Sequence, residues 1–518
     1  MPQLWQTMPT STRLILEALA RHPQRIAFRS DGREVSYAAT LDLIGRMQGV
    51  FARAGVGRGD VVAGLAANRF ESWCAGVAAN ALGAAATPLH PLASVQDHTA
   101  QLADAGATVL LVDAARFGDR AAELAAKAEV RARFTLGPAG YGTDLLAEAM
   151  AGTHTAVDLS QPDDIGALNY TGGTTGRSKG VLRSQRELAA GIVSVMANFP
   201  LPRRPVYLAA APISHAAGLF VGPVLAKGGT IELLPGFAPE AVARRIRDGG
   251  ANLTLLVPSM IYALLDDPSW RSEDLRSLEL LVYGASPMSP TRLQEALERI
   301  GPVFCQLYGQ TECFVISTLA PEDHDAARPE LLASAGHPTV DCEVRLLDDD
   351  GREVAQGERG EVCVRSPYAM QGYWKQPEAT AETIRDGWIH TGDIAWRDAE
   401  GRLYLVDRKK DMIISGGFNI YPRDIEDVLT AHPAVARAAV IGVPDPKWGE
   451  AVKALVVAKP GETPDADALA AWIKERKGST HVPKSFEFVE RMPLTPLGKV
   501  DKAVLRAPYW AGRDRQVN

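Results

Sequence analysis

Residues 169–181 read NYTGGTTGRSKGV, from Asn169 to Val181. Gly and Thr crowd together ahead of a single cation, Lys179. Glycines let successive backbone amides approach an anion closely, threonine hydroxyls add donors, and an ammonium adds charge. A polyphosphate is the natural guest of such a loop. A plain flexible connection is the other reading of the same residues. Two other phosphate patterns fail. A Walker A loop needs Lys followed by Ser or Thr, but here Ser178 precedes Lys179, and no Gly-x-Gly-x-x-Gly occurs in the stretch. GASPM at Gly284–Met288 begins like a nucleophile elbow and lacks the final Gly.

Outward from the loop, short apolar runs alternate with helical ones. AATLDLIGRMQGVFARAG, PEAVARRIRDGG and SPTRLQEALERIG predict amphipathic helices, and GDVVAGLAA, ATVLLVD, PVYLAAAP, TIELLP and LTLLVP predict buried strands. Strands spaced by helices indicate parallel sheets. The character changes after residue 335. CEVRLLDDDGREV, GEVCVRSP and GRLYLVDR are short strands with Asp-Gly or Gly-Glu turns, which predict an antiparallel, barrel-like region. Beyond Val406–Met412 the chain reads as a separate small α+β unit. The expected fold is α/β: a large N-terminal domain of stacked, mostly parallel sheets plus a barrel-like β region, then a small mobile α+β C-terminal domain.

The 518 residues exceed one ordinary domain, and 46% hydrophobic with 23% charged residues is usual for a globular protein. A net charge of -7 supplies no basic field for nucleic acid. The five cysteines, Cys74, Cys305, Cys313, Cys342 and Cys363, are odd in number and lack C-x-x-C spacing. That argues against a disulfide framework and a structural zinc site, and for a cytoplasmic setting. The first residues lack a basic segment followed by an apolar one, and no membrane span is expected. The best apolar candidate, CAGVAANALGAAATPLHPLA, is Ala/Gly-rich. The basic runs RARF and DRKKD read as solvated faces.

The order Tyr-Thr-x-Gly-Thr-Thr-Gly-x-x-Lys-Gly at Tyr170–Gly180 resembles the phosphate loop of the adenylate-forming enzymes. These include acyl-CoA synthetases, the adenylation domains of peptide synthetases and firefly luciferase. Four further stretches resemble the same family in the same order. They are QLYGQTE (Gln306–Glu312), WIHTGD (Trp388–Asp393), YLVDRKKDMIISGGFNIYP (Tyr404–Pro422) and PLTPLGKVDK (Pro493–Lys502). Together the five span most of the chain and most resemble bacterial fatty-acyl and aryl acyl-CoA ligases.

The resemblance implies a first reaction joining a carboxylate to the α-phosphate of ATP with loss of pyrophosphate, and a second passing the acyl group to CoA. It implies that Thr171, Gly172, Gly173, Thr174, Thr175, Gly176 and Lys179 wrap the phosphates, and that Glu312 holds Mg2+ with Thr171. Tyr308 would stack on adenine, with Gly284, Ala285 and Ser286 along its other side, in a nucleotide site completed by Gln306, Gly309, Gln310 and Thr311. Asp393 and Arg408 would contact the ribose. Lys499 would bridge carboxylate and α-phosphate as the catalytic cation. The division implied is a core at 1–406, a hinge at 407–411 turning on Lys410, and a mobile domain at 412–518. Ser415, Gly416, Gly417 and Asn419 would line a pantetheine tunnel, gated by His215, with orientation of the incoming thiol as a second role the resemblance implies for it.

The implied acyl pocket comprises His215, Ala216, Ala217, Gly218, Tyr283, Cys313 and Phe314, beside Ala285 and Gly309. These walls are mainly apolar, and Phe314 would shorten the pocket. Ala216 stands where the amino-acid-activating branch has Asp, and a buried ammonium without a counter-charge is costly. The expected substrate is therefore an apolar carboxylic acid. Four departures stand out: Gly172 for Ser, Ser178 for Pro, Asp424 for Glu, and His481 for a Lys that would contact CoA. The alternatives are an amide-forming ligase that accepts an amine and a ligase serving a carrier protein. The resemblance also implies a homodimer.

Overall fold

The computed structural model describes residues 9–30, 32–171, 178–415, 418–495 and 500–511. The expected strand runs Leu253–Leu256 and Val109–Val112 are buried on both faces, as is the strand Leu280–Gly284, and none of the three exposes a residue. Such strands are stable only where helices cover both sides, which is the condition of a parallel sheet.

Among the described residues the strands form four sheets. The nine-stranded sheet runs in the order His337–Pro338, Cys313–Leu319, Phe304–Gln310, Leu280–Gly284, Leu253–Leu256, Val206–Ala209, Thr230–Leu233, Ile26–Ser30 and Arg33–Ser36. Phe304–Gln310 through Ile26–Ser30 pair in parallel, and the remaining edge strands are antiparallel. The eight-stranded sheet runs Gly372–Tyr373, Gly180–Ser184, Ile165–Tyr170, Ala85–Pro88, Val61–Leu65, Val109–Val112, Ala132–Thr135 and Thr143–Asp144. One core joins the two. Phe28, Tyr207 and Leu253 from the first sheet and Val62, Leu111 and Phe134 from the second pack on Ile44, Met47, Phe51 and Cys74 of the helices Tyr37–Arg53 and Phe70–Ala81. Phe51 meets Phe134 edge-on at 5.3 Å. Burying each such side chain stabilises by about 1.5–3 kcal/mol.

The region after residue 335 is antiparallel, as its turns predict. Glu343–Leu347, Gly360–Arg365, Trp388–Arg397, Ile384–Arg385 and Leu403–Arg408 form a five-stranded sheet. The last sheet begins at Ile413–Ser415 and takes in Phe418–Ile420, Val435–Asp445, Gly449–Ala458 and Ser485–Phe488. Its core, including Ile413, Ile425, Leu429, Val440, Val456 and Ile473, draws on no residue before Ile413.

Candidate active site

The strands Ile165–Tyr170 and Gly180–Ser184 form a hairpin whose connection is the Gly/Thr loop. The Thr171 amide donates to the Lys179 carbonyl at 3.0 Å, and the Ser178 hydroxyl donates to the Thr171 carbonyl. Gly172, Gly173, Thr174, Thr175 and Gly176 lie outside the described residues. A capping box between Ser184 and Glu187 starts the helix Gln185–Asn198 immediately after the hairpin. The short strand Gly372–Tyr373 pairs along the hairpin's outer edge. This sets the Tyr373 ring 4.7 Å from the Lys179 ammonium, while its hydroxyl donates to Glu312 Oε1 at 2.7 Å. Burial, helped by Glu312, pushes the Tyr373 hydroxyl far above its ordinary pKa, so it stays a donor. Lys179 and Glu312, distant in sequence, thus meet through a tyrosine that no motif marked. Glu312, Tyr373, Gln310, Arg385, His390 and Thr391 line part of a cavity of about 210 Å³. A larger hollow of about 390 Å³ lies elsewhere, between Ala114–Ala122 and Leu136–Tyr141, and contains none of the expected site residues.

Gly284 ends a parallel strand at the carboxyl edge, where open α/β sheets bind ligands. A Cβ at Gly284 would sit 2.1 Å from the Leu307 carbonyl oxygen, and one at Gly309 would sit 2.0 Å from that of Phe314. No side chain fits at either position without moving the backbone. Ala285 holds φ 66°, a left-handed conformation uncommon outside glycine, and leads into Ser286. Gln306 is buried, and its Oε1 has no hydrogen-bond partner among the described residues. Tyr308 is buried too, and its hydroxyl donates to Asp393 Oδ2 at 2.8 Å. Asp393 and Arg408 face each other across paired strands, with Nε 3.2 Å from Oδ1. Asp393 raises the Arg408 pKa. The Asp393 amide donates to Thr391 Oγ1 at 3.0 Å, within the strand that carries the carboxylate.

Arg183 is a second residue that sequence reasoning missed. It is fully buried, its guanidinium stacks 3.6 Å over the Phe314 ring, and it donates to the carbonyls of Thr311 and Tyr368. Burial lowers its pKa to about 10, so it remains a cation at neutral pH. It fastens the Gln306–Phe314 turn to the strand leaving the Gly/Thr loop. Its signal was an arginine in an otherwise apolar strand, which alone suggests only an exposed face.

His215 precedes the 3-10 helix Ala216–Phe220. Its Nδ1 lies 2.8 Å from the Ser214 hydroxyl, and its ring meets that of His90 edge-on at 4.5 Å. Burial, then the neighbouring His90, lowers its pKa to about 4. Ala217 is buried and Ala216 exposed, and a Cβ at Gly218 would strike the Ile213 carbonyl. Phe314 packs with Ile213 and Leu219 against the main core. Tyr283 does not join them. It packs with Phe304 and Met288 in a different cluster, and its hydroxyl lies 3.0 Å from His324 Nε2. In strand Leu280–Gly284 alternate side chains point to opposite faces, and it is Val282 that faces the main core. Cys313 is buried with Ile316 and Val364, its thiol 3.4 Å from Ser366 Oγ.

Lys410 lies in a single 3-10 turn, Lys409–Asp411, between the last strand of the antiparallel sheet and Ile413–Ser415. Ser415 is buried and Asn419 exposed on the following hairpin. Gly416, Gly417 and Lys499 lie outside the described residues. Around the turn, Asp411 pairs with Arg506 at 2.7 Å and Lys502 with Glu426 at 2.9 Å. Burial pushes the Asp407 carboxyl up to about 6.

No described helix is long and apolar enough to cross a membrane. Residues 15–374 match the family described as AMP-binding enzyme, and residues 424–499 match the AMP-binding enzyme C-terminal domain. The medium/long-chain-fatty-acid–CoA ligase FadD8 of Mycobacterium tuberculosis is 42% identical over 523 residues, covering 97% of this chain and 91% of that one. A feruloyl-CoA synthase of Amycolatopsis is 39% identical over 490 residues, 94% of this chain and 96% of its own. Among solved structures, the amide bond synthetase McbA from Marinactinospora thermotolerans superposes with a TM-score of 0.90 at 35% identity, covering 96% of this chain and 100% of that one. A hairpin around the Gly/Thr loop, a buried tyrosine–aspartate pair and a separate C-terminal sheet therefore agree with likeness along nearly the whole length: the chain belongs to the AMP-binding enzymes.

Proposed function

We propose that this chain activates an apolar carboxylic acid with ATP, releasing pyrophosphate, and passes the acyl group from the adenylate to CoA. It is an AMP-forming acid–thiol ligase. The observation that carries the reading is a convergence. Tyr373 and Glu312 line the cavity whose wall includes His390 and Thr391, Lys179 lies against the Tyr373 ring, and Asp393 stands two residues beyond Thr391.

In this reading Lys179 and the loop from Thr171 to Gly176 hold the β- and γ-phosphates. Glu312, with Thr171, supplies hard oxygen donors of the kind Mg2+ takes alongside phosphate oxygens, and the ion when bound offsets charge on the phosphates. Asp393 binds the ribose hydroxyls, with Arg408 beside it. Tyr308 and the strip from Gly284 to Ser286 flank the adenine. The buried Gln306 Oε1, without a partner among the described residues, is an acceptor that an exocyclic amine would satisfy. Lys499 neutralises the carboxylate and α-phosphate as they react. The C-terminal unit then turns about Lys410, and the Ser415–Asn419 hairpin guides the pantetheine arm toward His215. His215 is uncharged at working pH and serves as a gate rather than an anion site.

An acid of fatty or aryl type suits the apolar surroundings of Phe314 and Ala217, as the names of FadD8 and the feruloyl-CoA synthase suggest for those relatives. ATP and CoA are met in the cytoplasm, where buried free cysteines stay reduced. The likeness to McbA favours one second reading, transfer to an amine. A panel of acids with ATP and Mg2+, run with CoA, with amines and with neither, tests both. Pyrophosphate release identifies the acid, and mass spectrometry identifies the product. Amide in the amine lane with no thioester in the CoA lane would replace the first reading with the second, and ADP as the spent nucleotide would overturn both. Light scattering tests the homodimer that the resemblance implies.

A further inference from the structure

We propose that Glu361, Cys363 and His390 form a binding site for a borderline-soft divalent cation such as Zn2+, distinct from the Mg2+ position at Glu312. Glu361 and Cys363 alternate on the strand Gly360–Arg365, and Cys363 faces His390 directly on the neighbouring strand. The register is irregular between the two: Cys363 stands opposite His390 and Glu361 opposite Ile394. Cys363 Sγ lies 3.2 Å from His390 Nδ1, and His390 Nδ1 lies 3.3 Å from Glu361 Oε2. The three ligand atoms all fall within 4.8 Å of one another. A tetrahedral zinc ion about 2.0–2.3 Å from its donors holds them about 3.3–3.6 Å apart, so two of the three spacings need almost no adjustment.

Among the described residues no other group of three such side chains comes this close. Cysteine spacing in the sequence points away from zinc because this donor set is assembled across a strand pair, not along one segment. Sulfur and imidazole donors suit zinc, copper or nickel and disfavour Mg2+, so the two neighbouring cation positions differ in the metals they select. The cavity of about 210 Å³ reaches both Glu361 and His390, giving a way in and room for a water as fourth ligand. Two features must yield. Arg385 stands 3.7 Å from Glu361 Oε2, and its side chain is 53% exposed, free to turn outward. The Cys363 thiol, protonated because burial pushes it up to about 12, must release its proton to solvent as the sulfur–metal bond forms.

The site touches the nucleotide machinery. Glu361 Oε1 accepts from the Gly392 amide at 3.0 Å, and His390, Thr391 and Gly392 lead directly into Asp393. A cation that draws the Glu361 carboxylate toward the Cys363 sulfur pulls on the Gly392 amide it holds and shifts this segment. Zinc would then raise the KM for ATP and act as a brake.

Cobalt is the probe, because a thiolate ligand gives a charge-transfer absorption that oxygen ligands do not. The full chain is titrated with Co2+ in excess Mg2+, and Zn2+ affinity is read by displacing the cobalt. The expected result is one cobalt per chain with a thiolate band. Cys363→Ser should remove the band and weaken Zn2+ by roughly 100-fold, and His390→Asn should weaken Zn2+ to a similar degree. Glu312→Gln should keep the band, and Cys363→Ser should keep its basal activity while losing sensitivity to zinc. Absence of a thiolate band in wild type, its survival in Cys363→Ser, or displacement of the bound ion by Mg2+ would each overturn the site. The cobalt band and its displacement need no turnover, so they stand apart from the proposed reaction.

Discussion

At the scale of single residues, the candidate site combines groups that motifs mark with groups that only folding brings in. Lys179, Glu312 and Asp393 carry their signal in their neighbours. Tyr373 carries none, because its contacts depend on a two-residue strand pairing with the phosphate-loop hairpin. A hydrogen bond to a charged group contributes about 1.5–3 kcal/mol. Tyr373→Phe is therefore expected to weaken Mg2+-dependent ATP binding by roughly 10–100-fold with little change in stability, as read by pyrophosphate release at varied ATP. Lys499 acts on the reacting atoms in the proposed mechanism, and Lys499→Ala should cut adenylation by roughly 10²–10³-fold. An unchanged rate would remove it from that role. His215 yields a pH prediction. Its folded pKa is depressed to about 4, so it stays neutral in the native chain while the unfolded chain protonates it below about 6.5. Its contribution to stability is present above that value and is lost as the pH falls toward 4. In acyl transfer to CoA no inflection near 6.5 should belong to His215. Finding one in wild type that disappears in His215→Ala would contradict the neutral gate.

At the scale of elements, the turn between the antiparallel sheet and the C-terminal sheet concentrates charge. Asp407 accepts from the Arg423 amide at 3.0 Å and lies close to Lys502, Glu426 and Asp411. Its carboxyl is raised to about 6, so the native state favours the protonated form. The associated stability is full below about 4 and is lost as the pH rises through 6. Asp407→Asn should gain on wild type across that window by about 2 kcal/mol, on top of a pH-independent offset from the altered hydrogen bonds. Denaturant midpoints of both proteins at several pH values check this, and a difference that does not change with pH would refute it. Element-level structure was largely legible from sequence. Leu253–Leu256 and Val109–Val112 are short apolar runs bounded by breakers, and they are strands. What periodicity could not supply was partnership. Ile26–Ser30 joins a strand more than 200 residues away, through Phe28 opposite Ile231. The family resemblance implied Tyr283, one residue before Gly284, as a wall of the acyl pocket. The alternation of a strand instead turns it toward His324. Sequence adjacency marks neighbourhood along the chain, and the pleat decides which face a side chain serves.

At the scale of the whole molecule, two bodies of core meet at a narrow seam. The main clusters end by Leu405, and those of the last sheet begin at Ile413. Ile394, Val406 and Tyr421, with Trp396 and Met412, form the cluster that spans both. Arg359 adds an ion pair to Asp424 at 3.3 Å, and Arg423 donates to the Leu405 carbonyl at 3.0 Å. Each body therefore buries its own apolar surface, and a chain cut after Asp411 keeps the main core whole. The fragment 1–411 is expected to fold, to unfold in one transition by calorimetry, and to bind a non-reactive acyl-adenylate analogue. It lacks Lys499, so its adenylation rate should fall by roughly the same 10²–10³-fold as in Lys499→Ala. The second half-reaction separates the two. Given a pre-formed acyl adenylate and CoA, Lys499→Ala retains the Ser415–Asn419 hairpin and should still make thioester, whereas the fragment should not. Equal failure of both would mean that Lys499 serves the thiol step as well. Equal success would mean that the C-terminal unit takes no part in transfer, and the rotation about Lys410 would lose its purpose.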